Sequence, residues 1–330
     1  MMQTLRARDV LRCIIQNVPK GPNLACPSQC LTGDKPVSNP ILWKETLAQR
    51  RERVTVASWD GPRLAGLASA RIRSGQRAWE VDRLFLACDS GDLLTGAEPF
   101  SSAPINRESQ GQQTNANPNL VALELLEQIA RETGQLRAER IFLRVSTKSR
   151  IFLLARQVGF FPYYEENLLE SSTPWEPQTG AMPPENWSEA TPEDAFSLFQ
   201  LYCAATPQSV RAAVGMSFDQ WQDSQEPLGH RQTWISKVDG KVLARLSLSR
   251  CGQVKVGGVL AHPDNPELWE KAVDWALSQG RKHRWLVPDY QEMVSSLLLR
   301  RQFRLVSSYN VMIKTVAVPV ARPGMVAVEA

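Results

Sequence analysis

Trp59-Asp60-Gly61-Pro62-Arg63-Leu64-Ala65-Gly66-Leu67 returns later in the chain as Val238-Asp239-Gly240-Lys241-Val242-Leu243-Ala244-Arg245-Leu246. Asp60-Gly61 falls on Asp239-Gly240 at an offset of 179, and Leu64, Ala65, Leu67 and Arg71 fall on Leu243, Ala244, Leu246 and Arg250. An Asp-Gly pair between two alternating apolar runs signals a hairpin, so each stretch predicts two strands joined by a tight turn. Phe160 matches Phe303 at an offset of 143, which makes the second copy 36 residues shorter between these anchors. The polar stretch 89–117 accounts for most of that difference, and one duplicated unit with a variable loop explains both offsets.

Outward from the hairpins, the element order repeats as well. In the first copy Leu5 to Asn17 reads as a short strand turning helical after Asp9, Val18 to Asn39 as loop and Pro40 to Arg51 as helix. Arg53 to Ser58, Arg63 to Arg73 and Ala78 to Ala87 form an antiparallel meander. After the polar loop, Asn117-Pro118 opens a helix over Asn119 to Thr133, with Leu120, Leu123, Leu126 and Ile129 spaced for burial. A strand at Arg140 to Val145, a helix at Ser149 to Val158 and a strand at Phe160 to Leu169 close the unit. Residues 171–189 are rich in Ser, Pro and Trp and read as a linker. Beyond it come helices at Pro192 to Ala204 and Ser217 to Ser224, and strands at Thr233 to Lys237, Lys241 to Arg250 and Gln253 to Ala261. A helix at Pro266 to Gln279, a strand at Trp285 to Pro288, a helix at Gln291 to Arg301 and a strand at Arg304 to Ala317 complete the second copy. The expected fold class is therefore α/β with a mixed sheet, in two domains at 1–170 and 190–318, with a tail at 319–330.

Composition narrows the function. The chain has 330 residues, 43% of them hydrophobic and 22% charged, which is ordinary globular usage. No apolar run approaches the ~20 residues that span a bilayer. The start carries Arg6, Arg8 and Arg12 without an apolar core, so it does not read as a secretory signal, and a cytoplasmic protein is expected. The six cysteines are scattered; Cys26 and Cys30 lack a second Cys/His pair at zinc spacing, so no metal is expected. A net charge of +4 favours anionic ligands but falls short of a nucleic-acid stripe.

Leu153-Leu154-Ala155-Arg156-Gln157-Val158-Gly159-Phe160 in the first copy, and Gly258-Val259-Leu260-Ala261-His262-Pro263-Asp264 in the second, stand at matching places in this order. On them, and on the order of elements, the chain resembles the GNAT superfamily of N-acyltransferases, twice in tandem. The resemblance implies an acyl-CoA cosubstrate, commonly acetyl-CoA, and direct transfer of the acyl group to an amine acceptor. It also implies that the fourth and fifth strands splay, and that the pantetheine arm lies between them as an added strand. By position, the edge would come from Leu84, Phe85 and Leu86 in the first copy, with Asn117 and Asn119 at the helix start beside the pyrophosphate. In the second copy it would come from Val259, Leu260 and Ala261, with Asn265 and Glu267 at the helix start.

The chain departs from the family at two places. Neither copy has the R/Q-x-x-G-x-G/A phosphate loop, and the family's frequent acid, a Tyr, is replaced by Ala155 and Leu298. For a base that takes the ammonium proton, Glu80 and Asp82 share one face of the first copy's fourth strand. The plainer reading of both is a surface pair with Arg71, Arg73 or Arg83. The second copy's fourth strand has no carboxylate, which directs any activity to the first copy. His262 at the mouth of the second wedge, and Tyr163 and Tyr164 as substitutes for the missing acid, are further candidates, with a turn histidine and packing tyrosines as the plainer readings. The alternative function is a degenerate GNAT-like scaffold that binds or regulates.

Overall fold

The computed structural model describes residues 2–4, 22–28, 52–87, 116–176, 183–226, 231–251 and 254–316. The expected elements at Leu5 to Asn17 and Pro40 to Arg51, the loop 89–117 up to residue 115, and the tail 319–330 lie outside the described residues.

A single twelve-stranded mixed sheet carries the chain. Its first half contains β1 (Met2–Thr4), β2 (Arg53–Asp60), β3 (Arg63–Ile72), β4 (Ala78–Leu86), β5 (Arg140–Ser146) and β6 (Phe161–Ser171). Its second half contains β7 (Trp187–Glu189), β8 (Arg231–Val238), β9 (Lys241–Cys251), β10 (Val254–Ala261), β11 (Lys282–Pro288) and β12 (Phe303–Thr315). Among the described residues the helices are α1 (Pro118–Gln135), α2 (Ile151–Gln157), α3 (Ala195–Ala205), α4 (Gln208–Val214), α5 (Phe218–Asp223), α6 (Glu267–Ser278) and α7 (Glu292–Arg300). Both α/β class and repetition of the element order are as expected. Three elements depart from the expectation, the first being β1, which precedes the strand expected from Leu5. Trp187–Glu189, inside the expected linker, is an edge strand on β8, and α4, at seven residues, is too short to show a period.

The order across the sheet is β1-β2-β3-β4-β5-β12-β6-β11-β10-β9-β8-β7. Each half thus surrenders its last strand to the other: β12 lies between β5 and β6, and β6 lies between β12 and β11. Both halves also splay at the same place. β4 runs beside β5 only from Ala78 to Glu80, and β10 beside β11 only from Val254 to Gly257. Beyond these points each pair opens into a wedge.

Two apolar clusters hold the layers together. Under α1, Leu125, Leu126 and Ile129 meet Val56, Leu84 and Ile141. Under α6, Val273 and Ala276 meet Leu246, Val259 and Trp285. The buried stripe of α1 is Val121, Ala122, Leu125, Leu126 and Ile129, whereas Leu120 is exposed, so the expected stripe was rotated. Asn117 caps α1 by accepting the Asn119 N–H, and Pro118 occupies its first turn.

The internal repeat also needs a correction of register. Asp60↔Arg63 closes the first hairpin and Val238↔Lys241 the second, so Asp60 is matched by Val238 and not by Asp239. A slip of one residue turns every side chain of a strand to the other face. In the structural register Ala68 matches Leu246, both packed toward the long helix of their half, and Leu67 matches Arg245.

Candidate functional site

The first wedge is filled by the chain itself. The Leu24 N–H donates to the Leu84 carbonyl on β4 at 2.9 Å, and the Cys26 N–H donates to the Arg144 carbonyl on β5 at 2.9 Å. Asn23 locks this segment: its amide donates to the Asp82 carbonyl, and its side-chain oxygen accepts from the Leu84 and Ala25 N–H groups. Leu24 and Ala25 are buried in the α1 core. Leu84 and Leu86 also belong to that core, and Phe85 packs with Leu67 on the opposite face. The edge expected for pantetheine in this copy is thus bonded to residues 23–26.

Glu80 and Asp82 are on the face away from α1 and are buried, not solvated. Arg71 and Arg73 hold Glu80 at 3.0 and 3.6 Å, and Arg53 holds Asp82 at 2.7 Å. The Arg71 and Arg73 partnership matches the plainer reading, although burial does not. Ala155 and Leu298, at the family's tyrosine position, are fully buried.

Among the described residues the second wedge is open: no backbone group bonds to the β11-facing edge of β10 beyond Gly257. A Cβ added at Gly257 would lie 2.2 Å from the Trp285 ring, which explains the glycine where the strands still touch. A Cβ at Gly258, which points to the opposite face of β10, would meet nothing within 4 Å, because that face borders the cavity. Val259 and Leu260 border this opening, and Val259 and Ala261 are buried in the α6 core. Asn265 and Glu267 stand at the turn into α6, whose first turn carries Glu267 and Glu270; Arg301 holds Glu270 at 2.9 Å. His262 is partly exposed at this turn, its Nδ1 accepting the Asp264 N–H at 3.3 Å.

A cavity of about 220 Å³ extends from the open wedge toward the first half of the sheet. Gly258, Leu260 and Leu286 form its wedge side, with Tyr290 and Gln291 just past β11. Tyr163, Tyr164 and Glu166 enter from β6, and Tyr202, Trp221 and Glu226 from α3, α5 and the residues after α5. The exchange of last strands is what brings β6 alongside β11 and so joins both halves in one cavity.

Charge in this cavity is organised around Arg144. Its Nε donates to Glu166 at 2.7 Å, and its other end donates to Glu226 at 2.6 Å. Arg73 reaches Glu226 from the first half at 3.4 Å. Burial raises the Glu226 carboxyl, yet Arg144 and Arg73 outweigh it and bring the pKa down to about 2. Glu166 goes the other way: burial raises it beyond what Arg144 takes back. Tyr164 donates to Glu166 at 3.0 Å. Burial also pushes the phenols of Tyr163, Tyr164, Tyr202 and Tyr290 above the usual tyrosine range, so all four stay protonated donors. Among the described residues the Tyr202 hydroxyl is buried without a hydrogen-bond partner. Sequence reading found Tyr163 and Tyr164 here, but missed Glu166, Tyr202 and Glu226, which meet only through tertiary structure.

Comparison with known proteins stops at the chain path. No family model matches the chain, and no curated protein is a significant match. Among solved structures, a GCN5-related N-acetyltransferase from Sphaerobacter thermophilus is 14% identical, with 98% of this chain and 96% of that chain covered and a TM-score of 0.47. A tandem GNAT protein from the clavulanic acid biosynthesis pathway is 12% identical, covering 96% and 98%, with a TM-score of 0.49. A GNAT-family acetyltransferase from Colwellia psychrerythraea is 11% identical, covering 96% and 99%, at 0.41. Among the described residues no helix is long and apolar enough to cross a membrane, and no three metal-ligating side chains gather.

Proposed function

We propose that the chain is an acyl-CoA-dependent N-acyltransferase, transferring an acetyl group to an amine, and that its working site is the second wedge. The observation that carries this reading is the open edge of β10 beyond Gly257, running into a cavity lined by phenols and carboxylates. An edge with free backbone groups accepts an extended amide-bearing arm as a further strand. The residues fit the pantetheine part of acyl-CoA. They fit its phosphates less well, since Glu267 faces the helix N-terminus where an anion would sit and no glycine loop precedes it.

In acyl transfer the amine nitrogen bonds to the thioester carbonyl carbon as the carbon–sulfur bond breaks. The ammonium gives up a proton, and the departing thiolate gains one. Tyr202, a buried phenol with an unengaged hydroxyl, is the candidate donor to sulfur. Glu166 is the better placed base, since burial raises its pKa toward the working range while Glu226 stays a weak base.

The test uses the space beside Gly258. A side chain there meets no protein atom within 4 Å of its Cβ, so Gly258→Leu should leave the melting temperature unchanged. It should fill the cavity beside the wedge and weaken acetyl-CoA binding by at least about tenfold in calorimetry, the scale expected when an occupied site is blocked. Acetyl-CoA that binds the variant as well as the parent would remove the second wedge from consideration. A second reading, a binding scaffold without catalysis, is favoured by one observation: residues 23–26 occupy the first wedge. Failure of the parent protein to bind acetyl-CoA would select it.

A further inference from the structure

Arg245 sits where the fold calls for an apolar residue. It lies on β9 directly opposite Leu260 of β10, on the face turned away from α6. The equivalent pair in the first half is Leu67 opposite Phe85, both buried and packed with Trp59 and Leu64. One chain therefore supplies its own control: the same position in the same unit is filled by leucine in the half whose wedge is closed, and by arginine in the half whose wedge is open.

The other guanidinium groups at this cavity are committed. Arg73 pairs with Glu80 and Glu226, and Arg144 with Glu166 and Glu226. In the first half Arg53 is likewise paired with Asp82. Among the described residues Arg245 has no carboxylate within ion-pair distance, and its buried Nε has no hydrogen-bond partner. Arg245 is half-buried with its Nε buried; a cation so placed without a counter-ion is costly, and a ligand that supplies the missing charge offsets that cost. The glutamates Glu166 and Glu226 line the same cavity, so one cavity offers both a positive and a negative station.

We propose that the acceptor amine carries a carboxylate, as a free amino acid does, and that Arg245 binds this carboxylate while the amine lies on the glutamate side. This assignment rests on the acyltransfer reading above. Burial and the nearby Arg231 bring the Arg245 pKa down to about 9, which still leaves it charged at neutral pH and ready for a carboxylate. An Arg–carboxylate pair is planar and bidentate, so lysine reproduces its charge but not its geometry.

The experiment measures thiol release from acetyl-CoA with the common amino acids, each against its decarboxylated amine, in the parent protein, Arg245→Gln and Arg245→Lys. The parent should turn over at least one amino acid with a kcat/KM about tenfold or more above its decarboxylated partner, the scale of a hydrogen bond to a charged group. Arg245→Gln should erase that preference while melting no lower than the parent, and Arg245→Lys should restore part of it. Equal use of both members by the parent, or a preference that survives Arg245→Gln, overturns the proposal. A preference for succinyl-CoA over acetyl-CoA that Arg245→Gln erases also overturns it, by assigning the anion to the acyl donor. Calorimetry separates the two layers. If the parent binds no acetyl-CoA, the acyltransfer reading fails. Amino-acid binding that is lost in Arg245→Gln would then still uphold the carboxylate site, and absence of such binding would overturn the site as well.

Discussion

Arg144 and its two glutamates show why individual residues here could not be ranked from sequence. Arg144 is one of many arginines in the chain, and Glu166 and Glu226 are 60 positions apart. Only the crossing of β5, β6 and the segment after α5 makes them one network. The sign of its pH dependence follows from the two carboxyl groups separately. Glu226 ionises in the fold at about 2, well below its ordinary range, so its contribution is complete above that range and is lost as pH falls toward 2. Glu166 is raised, so its contribution favours the fold at low pH and fades as pH rises. Glu226→Gln should therefore cost about 1.5 to 3 kcal/mol at pH 7, the scale of a lost charge-assisted hydrogen bond. The deficit should shrink at pH 3, read from urea denaturation midpoints. A deficit equally large at both pH values would mean that Glu226 acts through shape and not charge.

At the scale of elements, the strands and long helices were legible because their signals are local. Asp-Gly turns, alternating runs and the Asn117-Pro118 start each need only a few neighbouring residues. The segment at residues 23–26 gave no such signal, since its pattern is that of a loop and its partners lie on β4 and β5. It is nonetheless a structural element, closing the first wedge as a ligand would close the second. Asn23 bears most of that closure through its contacts to Asp82, Leu84 and Ala25. Asn23→Ala would leave the Leu84 N–H without its partner in a buried site, at a cost of about 1 to 3 kcal/mol in denaturant titration. Affinity for acetyl-CoA should not change. A gain in affinity would show that the first wedge takes the ligand once its occupant is loosened. The one-residue error in the sequence register has a related cause: the Asp-Gly pair is the strongest match between the hairpins, yet the turns around it are built differently. Gly61 and Pro62 form the first, while Asp239, at φ 49°, and Gly240 form the second.

For the whole molecule, the duplication was readable but the exchange of strands was not, because a strand's sequence states its faces and not its neighbours. β12 pairs with β5 from Tyr309 to Thr315 and with β6 from Phe303 to Ile313. β6 in turn pairs with β11. Neither half can complete its own sheet, and the second wedge's cavity needs Tyr163, Tyr164 and Glu166 from the first. This architecture predicts that the halves hold together without a covalent join. A protease site inserted between Glu176 and Pro183 should allow complete cleavage, with both fragments co-eluting at the intact size in size-exclusion chromatography. They should part only in denaturant, because separation exposes unpaired edges on β5, β6 and β11 together with the apolar faces beside them. Fragments that separate in plain buffer and each keep a cooperative melt would show two self-sufficient domains, and the cavity would then be a meeting of surfaces and not a consequence of the shared sheet.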